Sequence, residues 1–187
     1  MPLFGRGQSR PPPRPAPARA RPVEEDDDVQ LEDYEPDMAS PKEIAKFLVS
    51  LKPLVQRAIE VRASWIRELG VLFEEARQGN EAHVTSRAGR LGRDHVTLFR
   101  DVRSAVERFR PPEGCQEIHR SVVAWTDSLV KACEALIEVG NTSQLAGMQI
   151  AQRNVTEARH AARRFNSEYT RLLTELRVAV RSARRGV

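Results

Sequence analysis

From Ile44 to Val180 the apolar residues of this chain recur at intervals of three and four, and the recurrence is interrupted only at Gln78-Gly79-Asn80, at Pro111-Pro112 and at Gly140. A repeat near 3.6 residues lines one side of an α-helix with apolar groups, and such a stripe leaves water only by packing against another stripe. No stretch alternates apolar and polar residues with period two over a useful length, so no sheet is expected. The interruptions therefore divide the chain into four helices, expected at about 41–78, 81–109, 113–139 and 142–184.

Local signals support these boundaries. Ser40-Pro41-Lys42-Glu43 combines an N-cap serine, a proline at the first helical position and a glutamate at the third, which together satisfy the orphan amides of a helix start. Gly79 suits a C-cap and Asn80 the next N-cap, while Gly140 suits the left-handed end of the third helix. Pro53 lies inside the first helix and raises the question of a break there. The second stripe runs Val84, Ala88, Leu91, His95, Leu98, Val102, Ala105 and Phe109, with Gly89 and Gly92 implying either fraying or unusually close packing.

Connections this short force each helix to reverse direction, which gives an all-α, up-down-up-down antiparallel four-helix bundle with long first and fourth helices. The near-heptad, coiled-coil-like seams imply shallow crossing angles. The extra turns of the first and fourth helices project from the same end. Ile44, Phe47, Leu48, Leu51, Leu172, Leu173, Leu176 and Val180 are there expected to lie beyond the cover of the two middle helices, packing on one another or forming a protein interface.

The formal net charge of +4 conceals three blocks. Residues 1–22 hold five Arg and no acid, and residues 23–37 hold nine acids and no base, leaving 25 bases and 17 acids, a net of +8, for residues 38–187. Proline-fixed and self-repelling segments bury too little to offset their ordering entropy, so residues 1–39 are expected to be a disordered tail ahead of a bundle at 40–187. That tail reads as a solubilising leader, a docking peptide or an acidic arm over a basic surface of its own bundle. No apolar run reaches the roughly 20 residues that span a bilayer, and the start lacks a secretory h-region of roughly 7 to 15 apolar residues, so a cytoplasmic protein is expected. Only four of the 30 basic residues are Lys, a bias that reads as GC-rich bacterial codon usage.

Catalytic chemistry is poorly represented. Cys115 and Cys133 are too few for a disulfide framework or a four-cysteine zinc site; Cys133 reads as a core residue and Cys115 as the more reactive thiol. Glu157 and His160 form one E-x-x-H, half of a di-iron carboxylate motif, for which chance supplies about 0.3 instances here, and 100° per residue turns His160 away from the core. No metal, cofactor or catalytic residue is assigned.

The segment RNVTEARH, Arg153 to His160, resembles the Arg-(x4 to x6)-His signature of the HEPN ribonucleases, including the polar Asn154 after the arginine. The resemblance implies an Arg and a His beside a phosphodiester. Arg77 with His83 and Arg90 with His95 also fit the spacing, and residue frequencies supply about 1.7 matches by chance, against three found. A helix runs straight through the best match, so the chain is not assigned to that family. His95 sits in the second apolar seam, where a hydrogen-bonded core histidine is the expected role.

One surface shows order beyond composition. On the fourth helix, Arg153 with Glu157, Arg164 with Glu168 and Arg171 with Glu175 are spaced to neutralise one another. Arg159, Arg163, Arg177 and Arg181 form a separate stripe, free of acids, that can meet the phosphates of nucleic acid, an anionic membrane surface, or acids elsewhere in the protein. With few aromatics and no recognition helix, sequence-specific DNA reading is not expected. The chain thus reads as a non-enzymatic helical-bundle interaction or scaffold module that associates with itself or a protein partner; the alternatives are nonspecific polyanion binding through the stripe and, behind it, a HEPN-like ribonuclease.

Overall fold

The computed structural model describes the backbone of residues 39–185. The expected leader and its disorder lie outside those residues, apart from Ala39. Four helices fill the described chain: α1 (Pro41–Arg77), α2 (Glu81–Glu107), α3 (Gln116–Thr142) and α4 (Ala146–Arg185). They form the expected antiparallel four-helix bundle, with no strand among the described residues.

α1 starts at the expected capping box. Ser40 Oγ accepts from the Glu43 amide at 3.3 Å, and the Glu43 carboxylate accepts from the Ser40 amide at 2.9 Å. Accepting those bonds stabilises the ionised carboxylate and holds Glu43 below the usual carboxylate range. α1 then runs unbroken through Pro53. The carbonyl that loses its partner there belongs to Val49, which is 72% exposed, as is the face on which Pro53 sits, so water can take the bond. The turn into α2 uses Gly79 at φ 90°, followed by Asn80, whose side chain caps the His83 amide at 3.2 Å.

The third boundary differs from the expectation. α3 passes through Gly140 and ends at Thr142, with Ser143 taking the left-handed cap at φ 57°, and α4 begins at Ala146 rather than near residue 142. Gly140 is reserved for packing instead: a Cβ placed on it would come 2.5 Å from Gly89 Cα. A Cβ on Gly92 would come 2.5 Å from the Cys133 carbonyl oxygen. The glycines of α2 thus mark close helix packing rather than fraying. Ion pairs flank this seam, Arg103 with Asp127 at 2.9 Å and Arg100 with Glu134 at 2.6 Å.

α4 continues the same economy of side-chain bulk, presenting Ala151, Val155, Ala158 and Ala161 as its buried face and lying closely on α3. α1 is built differently. Its buried face carries Phe47, Leu48, Leu51, Trp65, Leu69 and Leu72, and it rests on α2 and the connection after it through bulky groups: Trp65 meets Phe99 of α2 edge-on at 5.7 Å, and Phe47 meets Phe109, just past the end of α2, edge-on at 6.3 Å. The α1 backbone runs closer to α2 than to α4, so the fourth side of the bundle is the widest one.

Opposite outcomes at two glycines test this packing. Gly92→Ala gains helix propensity yet should lower stability by about 1 to 3 kcal/mol, because the added methyl has no room. Gly70→Ala, in α1 with nothing near its Cβ position, should raise stability by about 0.5 to 1 kcal/mol. Thermal unfolding followed by circular dichroism distinguishes them; equal gains at both positions would refute the close approach of α2 and α3.

Candidate functional site

Because α1 stands off from α4, their facing sides border a cleft in two joined parts. The first, of about 400 Å³, is floored by Leu48, Leu51, Val55 and Ile59 of α1 and by Phe165 and Tyr169 of α4, with Lys52, Gln56, Glu60 and Asn166 at its edges. The second, of about 280 Å³, shares Val55, Ile59, Phe165 and Asn166, reaches Trp125 of α3 below, and is edged by Arg62, Arg159 and Arg163. Phe165 and Tyr169 stack on each other with centroids 5.7 Å apart, one helical turn along α4. An apolar floor thus leads into a basic end.

The arginines of that end are not neutralised within the described chain. Arg62, Arg159 and Arg163 take part in no ion pair among the described residues, and neither do Arg177 and Arg181, which continue the stripe along α4. Burial, and then the charge of Arg159, push the Arg62 guanidinium below its usual range. All four residues of the α4 stripe are exposed. Elsewhere on α4 the expected pairing is only partly made: Arg171 takes both Glu168, at 2.9 Å, and Glu175, at 2.7 Å, whereas Arg153 and Arg164 form no ion pair among the described residues.

The expected interface at the end of the bundle is largely internal. Phe47, Leu48, Leu51 and Leu172 are buried, Ile44, Leu173 and Leu176 are half-buried against the core, and Val180 is exposed. The lack of cover expected for this group is corrected by Phe109, which closes over Phe47. Leu48 and Leu51 still serve a surface, as the floor of the cleft on the bundle's side. Ile59 is the lining residue that the heptad reading omits. It is apolar, 53% exposed and off the α1 stripe, three residues before Arg62.

A second, polar recess of about 340 Å³ lies between the C-terminal part of α1 and the start of α2, lined by Glu68, His83, Ser86, Arg87, Arg90 and Asp94 among others. It gathers an acid and a histidine that no sequence motif joins, brought together by the α1–α2 turn. Two of its lining groups turn to Glu75 of α1 beside it: Arg87 bonds the Glu75 carboxylate, and His83 Nε2 lies 3.9 Å from the same carboxylate. His83 is exposed rather than enclosed. The other histidines are held locally or in water. His95 Nδ1 bonds the Leu91 carbonyl at 3.1 Å, His119 Nε2 bonds the Val106 carbonyl at 2.9 Å, and His160 is exposed with Glu157 on α4. Arg153 is likewise exposed, seven residues back along the unbroken helix. No group of three potential metal ligands occurs among the described residues.

Both cysteines are free and buried, which corrects the reading of Cys115 as a reactive thiol. Burial raises Cys115, with Arg171 opposing and Glu175 adding. Burial pushes Cys133 up to about 12, with Glu134 adding and Arg100 opposing. The sign of the consequence follows from linkage. A thiol kept neutral in the fold contributes stability that is fully present below its unfolded pKa, near 8.5, and is lost as pH rises toward the folded value. Urea midpoints should therefore fall between about pH 9 and 12, and Cys133→Ala, although less stable throughout, should show the shallower fall. Parallel declines in the two proteins would assign the alkaline loss to other groups.

No helix among the described residues is long and apolar enough to cross a membrane. No family model, no curated protein and no solved structure matches the chain.

Proposed function

We propose that this protein is a non-enzymatic interaction module whose working surface is the side of the bundle between α1 and α4. The observation that carries the reading is the cleft itself. A bundle that closed all four sides would bury Ile59 and the Phe165–Tyr169 stack between the outer helices, whereas here they line a channel bordered by uncompensated arginines. An apolar channel with a polar rim is the ordinary form of a groove that receives part of another protein.

A photo-crosslinking residue placed at Ile59 tests this directly, because the position is exposed and on the cleft. It should give a discrete protein adduct in cells, while the same residue at Val71, about as exposed but 120° around α1, should give none. No adduct at Ile59, or identical adducts at both positions, would reject the cleft as the working surface.

The stripe favours one further reading. Arg159, Arg163, Arg177 and Arg181 are exposed, acid-free and one helical face wide, which suits nonspecific contact with phosphates. In that case binding to single-stranded RNA or to anionic vesicles should weaken linearly in log–log salt titration, and changing the four arginines to Gln should flatten the slope by up to about 3 to 4 units. An unchanged slope would remove the stripe from consideration.

A further inference from the structure

The charges around the cleft say what kind of partner it fits. Lys52, Arg62, Arg159 and Arg163 edge it, against a single lining carboxylate, Glu60, whose Oε1 already accepts from Gln56 Nε2 at 3.3 Å. Arg62 is half-buried beside Arg159 with no anion between them among the described residues. Beneath these groups Trp125 is only 4% exposed, and its indole N–H has no acceptor among the described residues. This end of the cleft is rich in donors and positive charge and poor in acceptors. Burial already disfavours the charge of Arg62, and the arrangement favours a ligand that brings carboxylates.

The floor rules on the rest of the ligand. Ile59, Phe165 and Tyr169, over the buried Leu48, Leu51 and Val55, make an apolar surface that can match apolar side chains. A second copy of this chain is disfavoured for a different reason. Two-fold pairing through this face would set the exposed stripe of Arg159, Arg163, Arg177 and Arg181 against its own copy. From Leu48 to Arg62 the α1 wall spans 14 residue steps, about 21 Å, the length of four turns of helix. At the far side of the Phe165–Tyr169 stack, Arg177 and Arg181 recur in the angular register of Arg159 and Arg163.

We propose that the α1/α4 cleft receives an amphipathic helix of a partner protein, with its apolar stripe on the Leu48-to-Phe165 floor and its Asp and Glu residues against Arg62, Arg159 and Arg163. This rests on the docking reading of the cleft and adds the chemistry of the occupant. Recognition is of the helix-in-groove kind, with apolar anchors at i, i+3, i+4 and i+7 and carboxylates bound by the guanidinium forks.

Three synthetic four-turn helical peptides with one common Leu/Phe stripe, flanked by Glu, Gln or Lys, test the proposal by fluorescence anisotropy on the full chain. The Glu peptide should bind at least tenfold more tightly than the Gln peptide, and the Lys peptide more weakly than either. R159Q/R163Q should erase the tenfold preference and leave the Gln peptide unchanged, and raising salt should erode the preference in the same direction. Equal binding of the Glu and Gln peptides, abolished together by Ile59→Asp at its exposed site, would keep the docking surface and overturn the acidic partner. Failure of all three to bind would overturn both. Preference for the Glu peptide only after the acids at 24–28 are changed to Asn and Gln would overturn a foreign partner in favour of the chain's own acidic run. Displacement of the Glu peptide by single-stranded RNA at lower concentration than by unlabelled peptide would overturn a protein partner in favour of nucleic acid.

Discussion

Backbone meets backbone between α2 and α3, where Gly89 faces Gly140 and Gly92 faces the Cys133 carbonyl, and the rest of the bundle is arranged around that contact. Helices that pack through side chains of ordinary size sit roughly 8 to 10 Å apart, so a stripe of glycines draws one pair together at the expense of uniform spacing. α4 follows α3 closely for a related reason: its buried face is mostly alanine and valine, and Gly147 lies where a Cβ would meet Val139 Cγ2 at 2.6 Å. Three helices are thereby locked into a tight group. The bulk that fills the remaining space is carried by α1, in Phe47, Trp65 and a series of leucines.

Unequal side-chain volume then accounts for the wider side. Trp65 is fully buried against Phe99, and Phe47 against Phe109, so the large groups of α1 are directed at α2 and hold α1 over that helix. On the α4 side Phe165 and Tyr169 stack on each other and are half-buried against the core, leaving the cleft beside them. The cleft is thus a consequence of where volume was placed. It needs no loop or cofactor to keep it open, and it sits on two long helices, which are better than loops at holding side chains in register.

Much of this was legible in the sequence because helical periodicity and caps are local signals. The capping box at Ser40, the Gly79-Asn80 turn and the apolar seams each involve residues within a few positions of one another, where one conformation decides the outcome. Gly140 shows where local reading fails. A glycine near a helix end suits a left-handed cap, yet close approach to another helix also requires glycine, and only the partner position, Gly89, distinguishes the two uses. Ser143 accepts the strained cap conformation as a result. The candidate site was harder to read still. The stripe of Arg159 and Arg163 could be derived from the wheel of α4, but the wheel does not say which helix faces it. Ile59 was the available clue, an exposed aliphatic residue one turn from Arg62 that serves no core.

Arg62 argues that the cleft is more than a packing remainder. An arginine at that position could reach water along the surface, as most long cationic side chains do, with its methylenes on the apolar floor and its guanidinium outside. Here it is drawn partly under cover beside Arg159, and its charged form is disfavoured by both burial and repulsion. The one carboxylate lining the cleft, Glu60, accepts from Gln56 and forms no ion pair with Arg62 among the described residues. Folding alone would be served better by a neutral side chain at position 62, since a half-buried, unpaired charge contributes nothing to the core and costs desolvation. A carboxylate brought by a ligand would relieve both costs, at a site whose floor is apolar and whose walls are two long helices.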